Sequence, residues 1–350
     1  MSTLTHQKVS EYYGKVLQTK RDLKTSACCA LDKVPDYVRE PLKLIEDEIQ
    51  TKFYGCGAPF PLVLEGMKVL DLGCGTGRDC FVLSFFVGQE GEVVGIDMTD
   101  EQLEVGSKYL PVQMEKFGFQ KPNVRFIKGY IEDLESLGLP DDYFDIVVSN
   151  CVVNLSPDKE AVLGEVYRVL KEGGEFFFSD VYVDRRLPAW AKEDQVLLGE
   201  CLGGALYWKD FERLANRIGF IDPRVFANSK IDLLDPETID KIGFANFNSI
   251  TYRLFKLPQL ETACEDYGQS AVYKGTIPES RHRFMLDNHH VFERNRPLPV
   301  CSNTAFMLQD TRLHKHFDIH GDTSEHFGLF AGCGETPMIT AEEDAAGGCC

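Results

Sequence analysis

The amino-acid sequence predicts an α/β fold: a parallel sheet flanked by helices, with an N-terminal helical cap before it and a smaller α+β C-terminal domain after it. Two observations carry that expectation. Short apolar runs at residues 69–72, 93–96, 124–127, 146–149 and 176–181 alternate with amphipathic stretches, and such alternation builds βαβ units around a parallel sheet. The turn Gly73-Cys74-Gly75-Thr76-Gly77 directly follows the first run and opens a helix, as in folds that hold a ligand at the carboxyl ends of their strands.

Taken in order, residues 1–66 read as a polar helical cap. Val38, Leu42, Ile45 and Ile49 fall at helical spacing, and the cap ends in the loop Tyr54-Gly55-Cys56-Gly57-Ala58-Pro59. The ligand-binding domain is expected over 67–230. Inside it a helix over 99–117 opens with the capping-box pair Thr99 and Gln102. Another opens at Ser156-Pro157, with proline at the first helical position, and closes at Gly173-Gly174. Helical pieces follow over 189–199 and Trp208–Ile218. The α+β unit is expected over 231–350, with a strand at 250–255. It ends in Ala345-Ala346-Gly347-Gly348-Cys349-Cys350, a tail too small and polar to pack.

Composition narrows the function classes. A chain of 350 residues with 43% apolar content fills a core, and 37 basic against 55 acidic side chains leave a net charge of −18. That sign repels phosphate backbones and anionic lipid, so neither nucleic acid nor membrane is an expected partner. No apolar leader opens the chain and no run approaches the roughly 20 apolar residues that span a bilayer, so a cytoplasmic protein is expected. A reducing compartment keeps the 12 cysteines as free thiols.

The glycine-rich turn is the first candidate site, since a side chain there would block ligand from backbone. Asp97, about 20 residues on at the end of the second strand, suits ribose hydroxyls. Met98 offers an apolar face to an adenine ring. The acid two residues before the first glycine, in Asp71-Leu72-Gly73-Cys74-Gly75-Thr76-Gly77, resembles motif I of the class I methyltransferases more than a dinucleotide fingerprint. That resemblance implies a Rossmann-like class I methyltransferase domain that binds S-adenosyl-L-methionine. Gly73, Gly75 and Gly77 would then wrap the methionine moiety, with Asp71 near its ammonium, Ile131 and Glu132 clasping the adenine, and Asn150 beside the methionine.

Three cysteines stand apart from the rest. Cys151 follows Asn150 at the carboxyl end of the fourth strand, Cys201 lies in a glycine-flanked stretch beyond the fifth, and Cys56 sits between two glycines of the cap loop. All three can reach the same rim. Cys80 and Cys264 read as small buried hydrophobes.

A wider set of motifs has one family in common. It includes Tyr12-Tyr13-Gly14, Tyr54-Gly55-Cys56-Gly57, Gly95-Ile96-Asp97-Met98-Thr99, Val148-Ser149-Asn150-Cys151-Val152-Val153-Asn154-Leu155, Phe178-Ser179-Asp180-Val181-Tyr182 and Gly199-Glu200-Cys201-Leu202-Gly203-Gly204-Ala205-Leu206-Tyr207-Trp208. Together they resemble the arsenite methyltransferases, in order and across nearly two-thirds of the chain. The resemblance implies that Cys56, Cys151 and Cys201 bind As(III), supplied as arsenite or its thiol conjugates. It implies sequential methylation to mono- and dimethylated products, in arsenic detoxification. Cys28 or its neighbour Cys29 would join a redox cycle in which Cys28 pairs with Cys56, and thioredoxin or glutathione would restore the thiols. Softness agrees with the assignment, because trivalent arsenic prefers thiolate sulfur to oxygen or nitrogen. Its lone pair is the nucleophile, so positioning supplies much of the catalysis and no general base is required.

Weaker signals have plainer readings. Seven of the eight histidines fall between His282 and His326 without a zinc-finger spacing, so they are expected in solvent or in packing. Trp190 and Trp208 are expected in the core, Tyr54 either in the core or beside the cofactor, and Glu200 either beside the Cys201 thiol, whose pKa like-charge repulsion would raise, or facing solvent. A class I methyltransferase of a small organic acceptor, such as a quinone precursor or sterol, is the alternative enzyme, and a metal-sequestering protein the non-enzymatic one. Three thiols around one methyl group argue against the first, and the intact Asp71-to-Gly77 loop against the second.

Overall fold

The computed structural model describes residues 34–331. Cys28, Cys29, the Tyr12-Tyr13-Gly14 motif and the Gly/Ala/Cys tail lie outside that range. The described residues open with α1 (Asp36–Leu44) and α2 (Asp47–Thr51), so the helical spacing of Val38, Leu42, Ile45 and Ile49 is shared between two helices, broken at Ile45, whose backbone is extended.

The central sheet has eight strands. Its parallel part is built on β1 (Lys68–Leu72), β2 (Glu92–Asp97), β3 (Val124–Lys128), β4 (Phe144–Asn150) and the long β5 (Leu170–Val183), to which the short β6 (Leu206–Tyr207) adds a further parallel pairing. Between them run α3 (Arg78–Val87), α4 (Asp100–Phe117) and α5 (Lys159–Val169). After β5 come α6 (Gln195–Gly199), β6 (Leu206–Tyr207), α7 (Trp208–Ile218), β7 (Arg224–Ile231), α8 (Pro236–Ile242) and β8 (Phe247–Phe255). The strand order is β3-β2-β1-β4-β5-β8-β7, with β6 paired to β5 and with β8 antiparallel to both β5 and β7.

Alternation along the strands feeds two cores, because successive side chains point to opposite faces. On β1, Val69 joins one core with Val38, Ile45, Ile49, Phe81 and Leu103, while Leu70 and Leu72 join the other with Val162, Val166, Phe211 and Leu214. Helices therefore cover both faces, as a parallel sheet requires.

Several local expectations are corrected. The helix placed at 156–174 runs only over Lys159–Val169, because Asp158 caps it through Ala161 N–H at 2.9 Å. Gly173 and Gly174 lie inside β5. Thr99 makes no side-chain cap on α4, and the Gln102 side chain turns to the pocket described below. Residues 250–255, expected in the C-terminal unit, are the later part of β8 and pair with β5 in the main sheet, from Asp180 opposite Ile250 to Glu175 opposite Phe255.

Beyond β8 the chain forms small sheets. β10 (Ser270–Tyr273) pairs with β13 (Pro297–Pro299) and β14 (Phe317–His320), β11 (Arg283–Met285) pairs with β12 (Val291–Glu293), and β9 (Glu265–Asp266) pairs with β15 (Gly328–Leu329). They pack with α9 (Ser302–Gln309) around Tyr273, Phe284, Phe292, Leu308 and Phe317. The buried Glu175 on β5 receives Arg253 Nε and Arg312 Nη1, each at 2.5 Å, tying this unit to the sheet. His290 is buried against Asp287 and Arg224, which agrees with a packing role. Among the described residues no helix is long and apolar enough to cross a membrane.

Candidate active site

A pocket opens at the carboxyl ends of β1, β2 and β4. Gly73, Cys74, Gly75 and Thr76 form its floor, with Asp71, Asp97, Met98, Ile131, Glu132, Asn150 and Cys151 among its walls. The turn needs glycine at position 73, where φ is +68° and a Cβ would lie 2.4 Å from Val152. Asp97 stiffens it by accepting Gly75 N–H at 2.9 Å and Thr99 N–H at 2.8 Å. Gly77 is not among the lining residues. It takes φ +82° at the N-cap of α3, against the Phe126 ring. Tyr54 lines the pocket as well.

Electrostatics and polarity describe the ligand that fits. Burial raises the Asp71 carboxyl, and Asp79 and Asp97 push it further, while the Cys80 thiol donates to it at 3.2 Å. Burial raises Asp97 too. Acids crowded at a partly apolar pocket favour a cationic ligand, which would relieve their repulsion. Gln102 Oε1 is buried at the pocket with no hydrogen-bond partner among the described residues, an acceptor awaiting a donor. A sulfonium with an ammonium and an adenine amine meets these demands.

The cysteines meet beside this pocket. Cys56, Cys151 and Cys201 belong to one buried cluster, with 3%, 3% and 1% of their surface exposed. Asn150 sets the approach: its side chain accepts Gly57 N–H at 3.1 Å and donates to Gly57 O at 3.0 Å and Asp79 at 3.1 Å. This clamps the cap loop onto the rim of β4. Ser249 Oγ donates to Cys56 O at 2.7 Å from the other side. Gly57 must be glycine because a Cβ would sit 2.2 Å from Ser179 Oγ. Cys201 Sγ donates to Cys151 O at 3.4 Å. Both Cys151 and Cys201 take φ 61°, a left-handed backbone that β-carbon-bearing residues adopt at a cost of roughly 1 kcal/mol or more, and such strain gathers at functional sites.

Cys56 and Cys151 are joined in a disulfide, with Cα atoms 5.7 Å apart. The expectation of free thiols at these two positions is corrected: sulfurs held this close can bond without moving the backbone. Cys56 pairs here with Cys151, while Cys28 lies outside the described residues.

Sequence reasoning missed two charged residues beside this cluster, the buried Asp180 and the half-buried Lys159. Asp180, 1% exposed on β5, has a carboxylate oxygen within 4.8 Å of both disulfide sulfurs. It accepts Asn154 N–H at 2.9 Å, Asn154 Nδ2 at 2.8 Å and Val181 N–H at 2.7 Å, and burial raises it to about 6. Lys159 Nζ donates to Asn154 O at 3.1 Å and Ser156 O at 3.0 Å, and burial lowers it to about 8. The run Phe178-Ser179-Asp180-Val181 held the signal, a charged residue inside an apolar strand. Glu200 is buried, which removes its solvent-facing reading, and Trp190, expected in the core, is 44% exposed. Cys80 is buried as expected, while Cys264 is only half-buried.

A Rossmann-like sheet of this order, with a glycine-rich turn after β1 and an acid closing β2, defines a class I methyltransferase. Comparison with known proteins is more specific. The methyltransferase domain family matches residues 64–219, and the arsenite methyltransferase C-terminal domain matches residues 267–350. The chain is 56% identical to an arsenite methyltransferase of Aquipseudomonas alcaligenes, over 94% of each chain. It is 43% identical to that of Homo sapiens, over 98% of this chain and 95% of the relative. The crystal structure of CrArsM, an arsenic (III) S-adenosylmethionine methyltransferase from Chlamydomonas reinhardtii, superposes with a TM-score of 0.82 at 52% identity, over 85% of this chain and 99% of that one. The chain belongs to the arsenite methyltransferase family, enzymes that use S-adenosyl-L-methionine.

Proposed function

We propose that this protein methylates trivalent arsenic held by the thiolates of Cys56, Cys151 and Cys201. One observation carries the reading: three cysteines from a cap loop, a strand end and a later connection gather in one buried cluster, and Cys151 also lines the cofactor pocket. The cofactor supplies an electrophilic methyl on a sulfonium centre. Asp97 would take the ribose hydroxyls, Met98, Ile131 and Glu132 the adenine, and Gly73, Gly75, Asp71, Tyr54 and Asn150 the methionine end. Gly77 contributes through the turn. Three sulfurs leave arsenic a lone pair on its open side, and aiming that pair at the methyl is the work of the fold.

Each transfer formally oxidises arsenic, so two electrons must return from thiols. The Cys56–Cys151 disulfide is the oxidised form of this site, and thioredoxin or glutathione would reduce it, with Cys28 or Cys29 as the further thiol of the cycle. With such reductants the enzyme would work in the cytoplasm. In this reading residues 1–66 form the arsenic-binding cap, 67–230 supply most of the cofactor domain, and the remainder packs against it.

The test is direct. Reduced protein incubated with arsenite, thiol and S-adenosyl-L-methionine should yield mono- and dimethylated arsenic by chromatography with elemental detection. Cys56→Ser, Cys151→Ser and Cys201→Ser should each abolish the products while keeping cofactor affinity within threefold. Product formation at the wild-type rate in any of the three would refute the trithiolate.

A further inference from the structure

Asp180 is a buried acid for which methyl transfer has no use, since the attacking lone pair carries no proton. Its position suits a different step. One carboxylate oxygen lies within 4.8 Å of both Cys56 Sγ and Cys151 Sγ, and those two sulfurs are bonded to each other. The carboxylate is anchored from behind: Asn154 N–H and Nδ2 and Val181 N–H all donate to it, fixing its orientation. Both sulfurs and the acid are at most 3% exposed, so bulk water is a poor proton source there.

Opening and closing this disulfide requires protons. A reductant thiolate attacks one of the two sulfurs, the S–S bond breaks, and the other sulfur leaves as a thiolate. A second thiolate of the same reductant then attacks the mixed disulfide and releases the first sulfur. In sum, one disulfide and one dithiol become two cysteine thiols and one oxidised dithiol, with two electrons and two protons moving from the dithiol to the protein. A thiolate leaving into a buried, apolar cluster bears the full cost of an unpaired charge unless a proton meets it.

We propose that Asp180 is the proton carrier of the Cys56–Cys151 thiol/disulfide couple. In its acid form it delivers a proton to the sulfur that leaves, and as a carboxylate it takes the next proton from the incoming dithiol. When the couple closes again, the same oxygen receives the proton of the attacking cysteine. This deepens the redox half of the proposed function and rests on it for biological purpose, but the proton step is measurable without arsenic.

The experiment is reduction of the oxidised full-length protein by dithiothreitol, sampled by rapid alkylation and mass spectrometry of the Cys56 and Cys151 peptides. Asp180→Asn should slow opening at least tenfold, and Asp180→Glu should restore much of the rate, since proton transfer by a positioned side chain is worth roughly 10²-fold or more. A merely structural role gives the opposite sign, because a loosened cluster exposes the disulfide and speeds its reduction. Cofactor affinity, read by calorimetry, confirms that the variant is folded. If Asp180→Asn does not fold, the wild-type protein decides: opening in deuterated buffer should slow about twofold or more beyond the effect on a small-molecule disulfide. A folded Asp180→Asn protein that opens at the wild-type rate or faster, or a wild-type protein without the excess isotope effect, overturns the proposal. Failure to methylate arsenite would instead count against the proposed function alone.

Discussion

Asn150→Ala isolates what holds the cysteine loop in place. The side chain makes two hydrogen bonds to Gly57, at 3.1 and 3.0 Å, and the residue carrying them is 7% exposed. Each bond contributes about 1 kcal/mol net, so losing both loosens the Cys56 loop by about 2 kcal/mol. At about 1.4 kcal/mol per decade, the effective concentration of Cys56 at Cys151 should fall roughly 30-fold. The Ser249 bond to Cys56 O at 2.7 Å survives and keeps the loss from being larger. The assay is the position of the Cys56–Cys151 equilibrium in graded glutathione buffers, quantified by alkylation and mass spectrometry. An equilibrium within threefold of wild type would refute the clamp, and with it the account of how a loop 93 residues away is brought to the end of β4.

Two further predictions concern stability. Glu175→Ala leaves Arg253 and Arg312 buried without their shared counter-charge, which should cost about 3–5 kcal/mol in denaturant unfolding. A loss below about 1 kcal/mol would show that the ion triad does not tie the C-terminal unit to the sheet. The Asp287 carboxyl would be raised by burial alone, but the His290 hydrogen bond and the Arg224 charge hold it well below the usual carboxylate range. A depressed folded-state pKa gives stability that is present above the unfolded value of about 4 and is lost as pH falls below it. Asp287→Asn should therefore lower stability at pH 7 and flatten the acid limb of the pH–stability curve, and an unchanged acid limb would contradict the assignment.

Much of the cofactor half was legible in the chain because its signals are local. The strand runs at 69–72 and 93–96 need only a few consecutive apolar residues between turns, and the turn at Gly73 needs only glycine where φ is positive. Asp97 stands out by its distance along the chain from that turn, whereas its hydrogen bond from Gly75 N–H is a tertiary contact that the spacing did not announce. The capping box at Thr99 failed for a tertiary reason. The Gln102 side chain belongs to the pocket, and nothing within α4 could reveal that.

The sequence alone determined the parallel α/β class, the cofactor turn and which cysteines to watch, since periodicity, glycine placement and motif order are properties of neighbouring residues. Only the tertiary structure decided that residues 250–255 pair with β5, that Cys56 bonds Cys151 across a separation of 95 residues, and that Asp180 stands beside both sulfurs. Each of these is a contact between distant segments. Such contacts arise when the cap loop, the strand ends and the antiparallel β8 compete to cover the same rim, a contest settled by packing and hydrogen bonding, on which local pattern is silent.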